Sequence, residues 1–143
     1  MARYESTIEV SASPDAVSAF LSDVANTQAW DPSVVEARRA DGPGRGRLVL
    51  GFYGRRFELD CVVDRHPPTA AGEAATVVLR ATSPKIERCD TFTVTATAGG
   101  SRVAFASELR LKGVLRVLGR GLQVPVERMG AQVSERLAAA LSS

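Results

Sequence analysis

This chain of 143 residues is poor in the side chains that most often carry chemistry: one histidine, one tryptophan, two tyrosines and two cysteines. Cys61 and Cys89 are too few and too far apart for a metal-binding motif. Strand alternation sets Cys61 with Phe57, Leu59 and Val63, and Cys89 with Lys85, Glu87 and Thr91, on opposite faces. Two reduced thiols are therefore expected, not a disulfide. No phosphate-cradling glycine loop, metal-ligand spacing or nucleophile elbow occurs, so neither cofactor nor metal is expected. No apolar run approaches the roughly 20 residues of a membrane span. The opening Met1-Ala2-Arg3-Tyr4-Glu5 lacks the apolar stretch of a secretory signal, which makes the cytoplasm the expected compartment. A net charge of +2 is too small to argue for nucleic acid.

Lysine is scarce as well, at two residues against sixteen arginines. Charge is spread unevenly along the chain. Residues 1–32 hold one arginine and five acids, a sum of −4, and residues 100–143 hold seven bases and three acids, a sum of +4. Arg110, Lys112, Arg116 and Arg120 gather where the last helix begins. Such a cluster is expected as a solvated face, or as a surface that steers a transient acidic partner. The length suits one domain over 1–143, large enough to bury roughly 70% of its unfolded surface.

The order of elements is the most informative feature present. Residues 3–10 alternate, with Tyr4, Ser6, Ile8 and Val10 on one face and Arg3, Glu5, Thr7 and Glu9 on the other, which predicts a strand with one wet face. Ser13-Pro14-Asp15 then starts a helix: a side-chain cap, a proline that loses nothing at the first position, and an acid at the positive end of the dipole. Val17, Phe20, Leu21 and Val24 form its apolar face, and a second short turn is expected over 24–29, closed by Trp30-Asp31-Pro32. Turn chemistry at 41–44, 51–54, 66–68, 83–84 and 99–100 divides the middle into strands at about 33–40, 46–52, 54–65, 73–82, 85–98 and 101–111. Links this short make neighbouring strands antiparallel. From residue 113 the period turns helical, with one stripe through Val114, Leu118, Leu122, Val126, Met129, Val133, Leu137 and Leu141. Pro125 and the nearby Gly119 and Gly121 predict a kink or break near 119–125, with the more regular helix running from about 125 to 141.

This order resembles the helix-grip fold of the START/Bet v 1-like (SRPBCC) superfamily, nearest to its bacterial polyketide cyclase/dehydrase and lipid-transport type. The matching stretches are Ile8-Glu9-Val10 through Ser13-Pro14-Asp15-Ala16-Val17, Trp30-Asp31-Pro32, Asp41-Gly42-Pro43, Arg65-His66-Pro67-Pro68 and Gly99-Gly100-Ser101-Arg102-Val103. The resemblance covers essentially the whole chain. It implies an α+β domain in which a seven-stranded antiparallel sheet curves around a long C-terminal helix, with two short helices after strand 1. It also implies a cavity between sheet and helix for a small hydrophobic molecule such as a lipid or polyketide. Two other functions remain open on the same fold: a polyketide aromatase/cyclase, and a protein-interaction module. Monomer and homodimer are equally open.

Candidate ligand-binding residues follow from strand phase and from that resemblance. Phe57, Leu59, Leu79, Phe92 and Phe105 sit on inner strand faces, and Leu122 and Met129 on the helix stripe. A plain hydrophobic core explains each of them equally well. Ala81, Ala96 and Ser107 on the same faces would leave room. Arg88 and Asp90 share a face with Phe92, Val94 and Ala96; if that face is concave, two charges point into the fold, where they need partners. Tyr4 faces inward and needs a partner for its hydroxyl, and Trp30 packs near the pocket wall. No residue is assigned a catalytic role: His66, before Pro67-Pro68, is expected in a solvated turn.

Overall fold

The structure is a computed structural model and describes residues 2–52, 54–113, 116, 121 and 123–142, with the Phe52 side chain left undescribed. The elements run β1 (Ala2–Val10), α1 (Pro14–Ser22), a single 3-10 turn (Val24–Asn26), α2 (Thr27–Trp30), β2 (Val34–Arg39), β3 (Arg45–Phe52), β4 (Arg55–His66), β5 (Ala75–Thr82), β6 (Ile86–Thr97), β7 (Gly100–Leu111) and α3 (Gln123–Leu141). All seven strands pair antiparallel in one sheet of order β1-β7-β6-β5-β4-β3-β2. This is the expected helix-grip α+β arrangement. Strand bounds fall within two residues of those read from turn chemistry.

Local chemistry fixes the ends of elements. Ser13 caps α1, its hydroxyl oxygen accepting from the Ala16 amide at 3.2 Å, with Pro14 opening the helix. Val17 and Leu21 bury the inner face of α1 against the sheet. At the β6–β7 turn, Gly100 has φ +148°, and a side chain there would lie 2.2 Å from the Val10 carbonyl oxygen. Only glycine lets β7 start this close to the end of β1. The next residue, Ser101, then donates to the Ala12 carbonyl at 2.7 Å.

Strand phase matches expectation. On β4, Leu59, Cys61 and Val63 are buried, and on β6, Arg88, Asp90, Phe92 and Val94 are buried. Cys89 points to the opposite face from Cys61, and both thiols are free. Ala96 departs from the expectation. It is exposed near the end of β6, so it leaves no room inside.

The buried stripe of α3 is Val126, Gly130, Val133, Leu137 and Leu141. Met129 is only half-buried, and Gly130 takes the central position beside it. The reason lies on β1. A side chain at Gly130 would sit 2.3 Å from the Tyr4 ring, so the helix backbone rides directly on that ring. Tyr4 and Ser6 bond to Ser134 one turn further on, at 3.2 Å and 2.8 Å between hydroxyl oxygens. Gln123 closes the other end: its amide accepts from the Arg3 amide at 3.1 Å and donates to the Arg3 carbonyl at 2.7 Å, continuing the free edge of β1 like one more strand residue.

Pro125 is the third residue of α3, in the first turn, where an N–H has no intrahelical acceptor. It therefore starts the helix and does not kink it. Gly119 and Arg120 of the expected break, and the stripe residues Val114, Leu118 and Leu122, lie outside the described residues.

Gly130 gives a direct test. In an exposed helix, glycine to alanine gains about 1 kcal/mol. Here Gly130→Ala must move the Tyr4 ring, and the variant is expected to lose roughly 1–3 kcal/mol by urea unfolding. A gain in stability would show that α3 does not ride on Tyr4.

Candidate functional site

Arg88 reaches the interior from β6, between Asp31 at the end of α2 and Asp90 on its own strand. The three side chains are 6%, 3% and 0% exposed, so water does not compensate their charges. The guanidinium donates through Nε and Nη2 to Asp90 Oδ2 at 2.9 and 2.6 Å, and Nη2 also contacts Asp31 Oδ2. Two serines complete the cluster. Ser107, paired with Asp90 across β6–β7, donates its hydroxyl to Asp90 Oδ1 at 2.5 Å. Ser33 donates both its amide (2.8 Å) and its hydroxyl (2.7 Å) to Asp31 Oδ1.

Aromatic packing holds this cluster from below. The Arg88 guanidinium carbon lies 5.9 Å from the centre of the Trp30 ring. Trp30 meets Phe92 edge-on at 5.5 Å, Phe92 stacks on Phe105 at 5.0 Å, and Phe105 tilts against Tyr4 at 6.0 Å. The indole Nε1 of Trp30 is buried without a partner.

The electrostatics follow from this burial. Burial alone would pull the Arg88 pKa down, but Asp31 and Asp90 outweigh it and hold the guanidinium charged. Burial dominates at Asp90 and lifts its carboxyl above the 3.8 of a free aspartate, against the downward pull of Arg88 and Ser107. The nearby Asp31 carboxylate adds to the rise at Asp90, because like charge disfavours its ionised form. Cys61, on the same inner face, is pushed up to about 12, chiefly by burial, and is an inert thiol.

A cavity of about 40 Å³ opens beside the cluster. Among the described residues, Asp31, Ser33, Arg88 and Ser107 form its polar side, and Tyr4, Phe105, Leu109, Val126, Met129, Gly130 and Val133 line the remainder. Of the residues singled out from sequence, Tyr4, Arg88, Phe105 and Met129 line this cavity. Trp30, Leu59, Leu79, Asp90 and Phe92 are buried in the core without lining the cavity, and Phe57 is half-buried on β4. Leu122 lies outside the described residues. The Tyr4 hydroxyl is engaged by Ser134, so this residue offers the cavity its ring.

Asp31, Ser33 and Gly130 escaped the sequence reading as site residues. The one available signal was Asp31 itself, an acid directly after the only tryptophan at a helix end. His66 is exposed at the end of β4, as expected. Of the basic cluster, Arg110 and Lys112 are both paired with Glu87, and Arg120 lies outside the described residues. Among the described residues, no group of acids, histidines and cysteines could hold a metal ion, and no helix is long and apolar enough to cross a membrane.

The site and the sheet together define a helix-grip domain with a partly polar internal cavity. The sequence profile of the polyketide cyclase/dehydrase and lipid transport family matches residues 1–142, and the chain belongs to that family. Solved structures share the fold at low identity. A STAR-related lipid transfer protein from Xanthomonas axonopodis superposes with a TM-score of 0.76 at 15% identity, over 97% of this chain and 85% of that one. An aromatase/cyclase, Zhui, from Streptomyces sp. R1128 gives 0.73 at 17%, over 97% and 92%. A START superfamily protein from Mycobacterium smegmatis gives 0.63 at 18%, over 97% and 93%. No curated protein matches the chain.

The raised carboxyl of Asp90 has a measurable sign. Above pH 3.8 the unfolded chain has lost this proton while the folded chain retains it. Folding therefore binds the proton, and the stability due to Asp90 falls as pH rises through its folded pKa. Urea unfolding of the wild type and of Asp90→Asn across the acid-to-neutral range is expected to show a falling difference, wild type minus variant. A rising difference would mean that Arg88 holds Asp90 below the ordinary carboxylate range.

Proposed function

We propose that this domain binds a small, mostly apolar molecule between the sheet and α3, with the polar end of that molecule at Arg88, Asp31 and Ser33. The observation that carries this reading is a cavity with one charged, polar side and, among the described residues, otherwise apolar walls. A plain core gains nothing from two buried aspartates and an arginine, since apolar residues of similar volume are commonly as stable. Placed on a cavity wall, the same groups orient a ligand. Family membership supports the reading, as does the likeness to a lipid transfer protein.

The cavity is smaller than the roughly 150 Å³ that accommodates benzene. A ligand therefore enters by displacing wall, and the parts suited to move are the flexible Met129 side chain and the first turn of α3. The Gln123–Arg3 pair ties that turn to β1. Apolar surface of the ligand then supplies the driving force, about 25 cal/mol per Å² before the costs of association.

An aromatase/cyclase activity is the second reading, favoured by the likeness to Zhui. It would need a proton donor or acceptor at the cavity. Asp90 stands behind Ser107, and the cavity lining holds no histidine. Cyclisation of a candidate polyketide that falls with Arg88 or Asp90 substitutions would establish it.

The binding reading is tested with N-phenyl-1-naphthylamine, an uncharged dye that brightens in apolar surroundings. Wild type is expected to bind it saturably. Val133→Phe, which fills the cavity from α3, is expected to abolish binding while keeping the circular dichroism of the wild type. A dye signal unchanged in Val133→Phe would place any binding elsewhere.

A further inference from the structure

Hydrogen-bond directions on the polar wall restrict what a ligand can offer there. A serine hydroxyl has one proton, and Ser33 gives its own to Asp31 Oδ1. What Ser33 presents to the cavity is therefore lone pairs. Asp31 also lines the cavity, and its Oδ2 receives only Arg88 Nη2 among the described residues. One donor faces these acceptors: Arg88 lines the cavity, and its Nη1 donates to no described residue.

Charge restricts the ligand further. Arg88 is the one cation of the cluster, and Asp31 and Asp90 are its two acids. With Asp90 ionised the cluster sums to −1, and with Asp90 protonated to zero. Neither state leaves a positive charge free for an anion. An incoming carboxylate would lie against the Asp31 carboxylate and the Ser33 lone pairs, among side chains that are themselves buried. An incoming ammonium would meet the Arg88 guanidinium.

We infer that the polar end of the ligand is an uncharged hydroxyl, which accepts from Arg88 Nη1 and donates to Asp31 or Ser33, and that the site rejects carboxylates of the same chain. This rests on the binding reading above and adds the chemical class of the ligand. The wall residues come from three separate segments: Asp31 and Ser33 after α2, Arg88 on β6 and Ser107 on β7.

The test is displacement of N-phenyl-1-naphthylamine from the wild type near neutral pH by 1-octanol, octanoate and octylamine, which differ only at the head. Octanol is expected to bind at least about tenfold tighter than octanoate, the factor that follows when buried polar groups are left unmatched. Octylamine is expected to bind more weakly than octanol. Octanoate or octylamine matching octanol, or dye that none of the three displaces, would overturn the hydroxyl assignment and leave the binding reading intact. Dye that fails to bind at all would remove the binding reading and the assignment together.

Two variants sharpen the result. Ser33→Ala keeps every charge and is expected to weaken octanol several-fold while leaving octanoate unchanged. Asp31→Asn leaves Arg88 with one carboxylate and is expected to strengthen octanoate relative to octanol. An unchanged octanol affinity in Ser33→Ala, with an unchanged octanol-to-octanoate ratio in a folded Asp31→Asn, would overturn the assignment.

Discussion

The buried ion cluster of Arg88 with Asp31 and Asp90 is the constraint on which the rest of the structure depends. Each of its charges would be costly alone in the interior. Together they are tolerated because nearly every oxygen and nitrogen has a partner, and those partners come from different elements. Asp31 brings the end of α2 to the sheet. Ser107 binds β7 to β6 at the same height. Trp30, held under the guanidinium, anchors the short helices over the concave face. Removing one member leaves the others unpaired in a place closed to water, so the cluster fixes the relative placement of elements more strictly than apolar packing would.

Around it the packing is of two kinds. Trp30, Phe92 and Phe105 form a continuous aromatic layer with rings at 5.0–5.5 Å, which fills the middle of the sheet. Over Tyr4 the packing is backbone on ring, permitted by Gly130. Close approach at Gly130 and the Ser134 hydroxyl contacts hold the middle of α3, while Gln123 holds its start through an exposed pair of bonds. The helix is thus firm where it crosses β1 and more weakly tied at its first turn. That contrast locates where the cavity of about 40 Å³ can widen.

Much of this was legible in the sequence because its signals are periodic or local. Period-two burial along β4 and β6 set the inward faces, including those of Arg88 and Asp90. Turn residues bounded the strands, and Ser13-Pro14 started α1. The misreadings all concern tertiary proximity. Met129 fits the stripe of α3 as well as Gly130 does, and nothing local reveals a Tyr4 ring, 126 residues earlier, that only glycine can meet. Pro125, by contrast, was a fair local signal, since the regular helix starts at Gln123, two residues before the expected start. Ala96 has the phase of an inner residue but lies past the part of β6 that is covered. Asp31 and Arg88 are 57 positions apart, and no spacing rule joins them. The site is therefore a product of the fold, and the sequence showed only its strand half.

The central claim is that Arg88 and Asp31, brought together by the fold alone, act as one unit in the interior. A double-mutant cycle of Asp31→Asn and Arg88→Met, followed by urea unfolding, measures this directly. A coupling free energy of roughly 1–3 kcal/mol is predicted, as for residues within one buried network. Additive effects with no coupling would contradict the account.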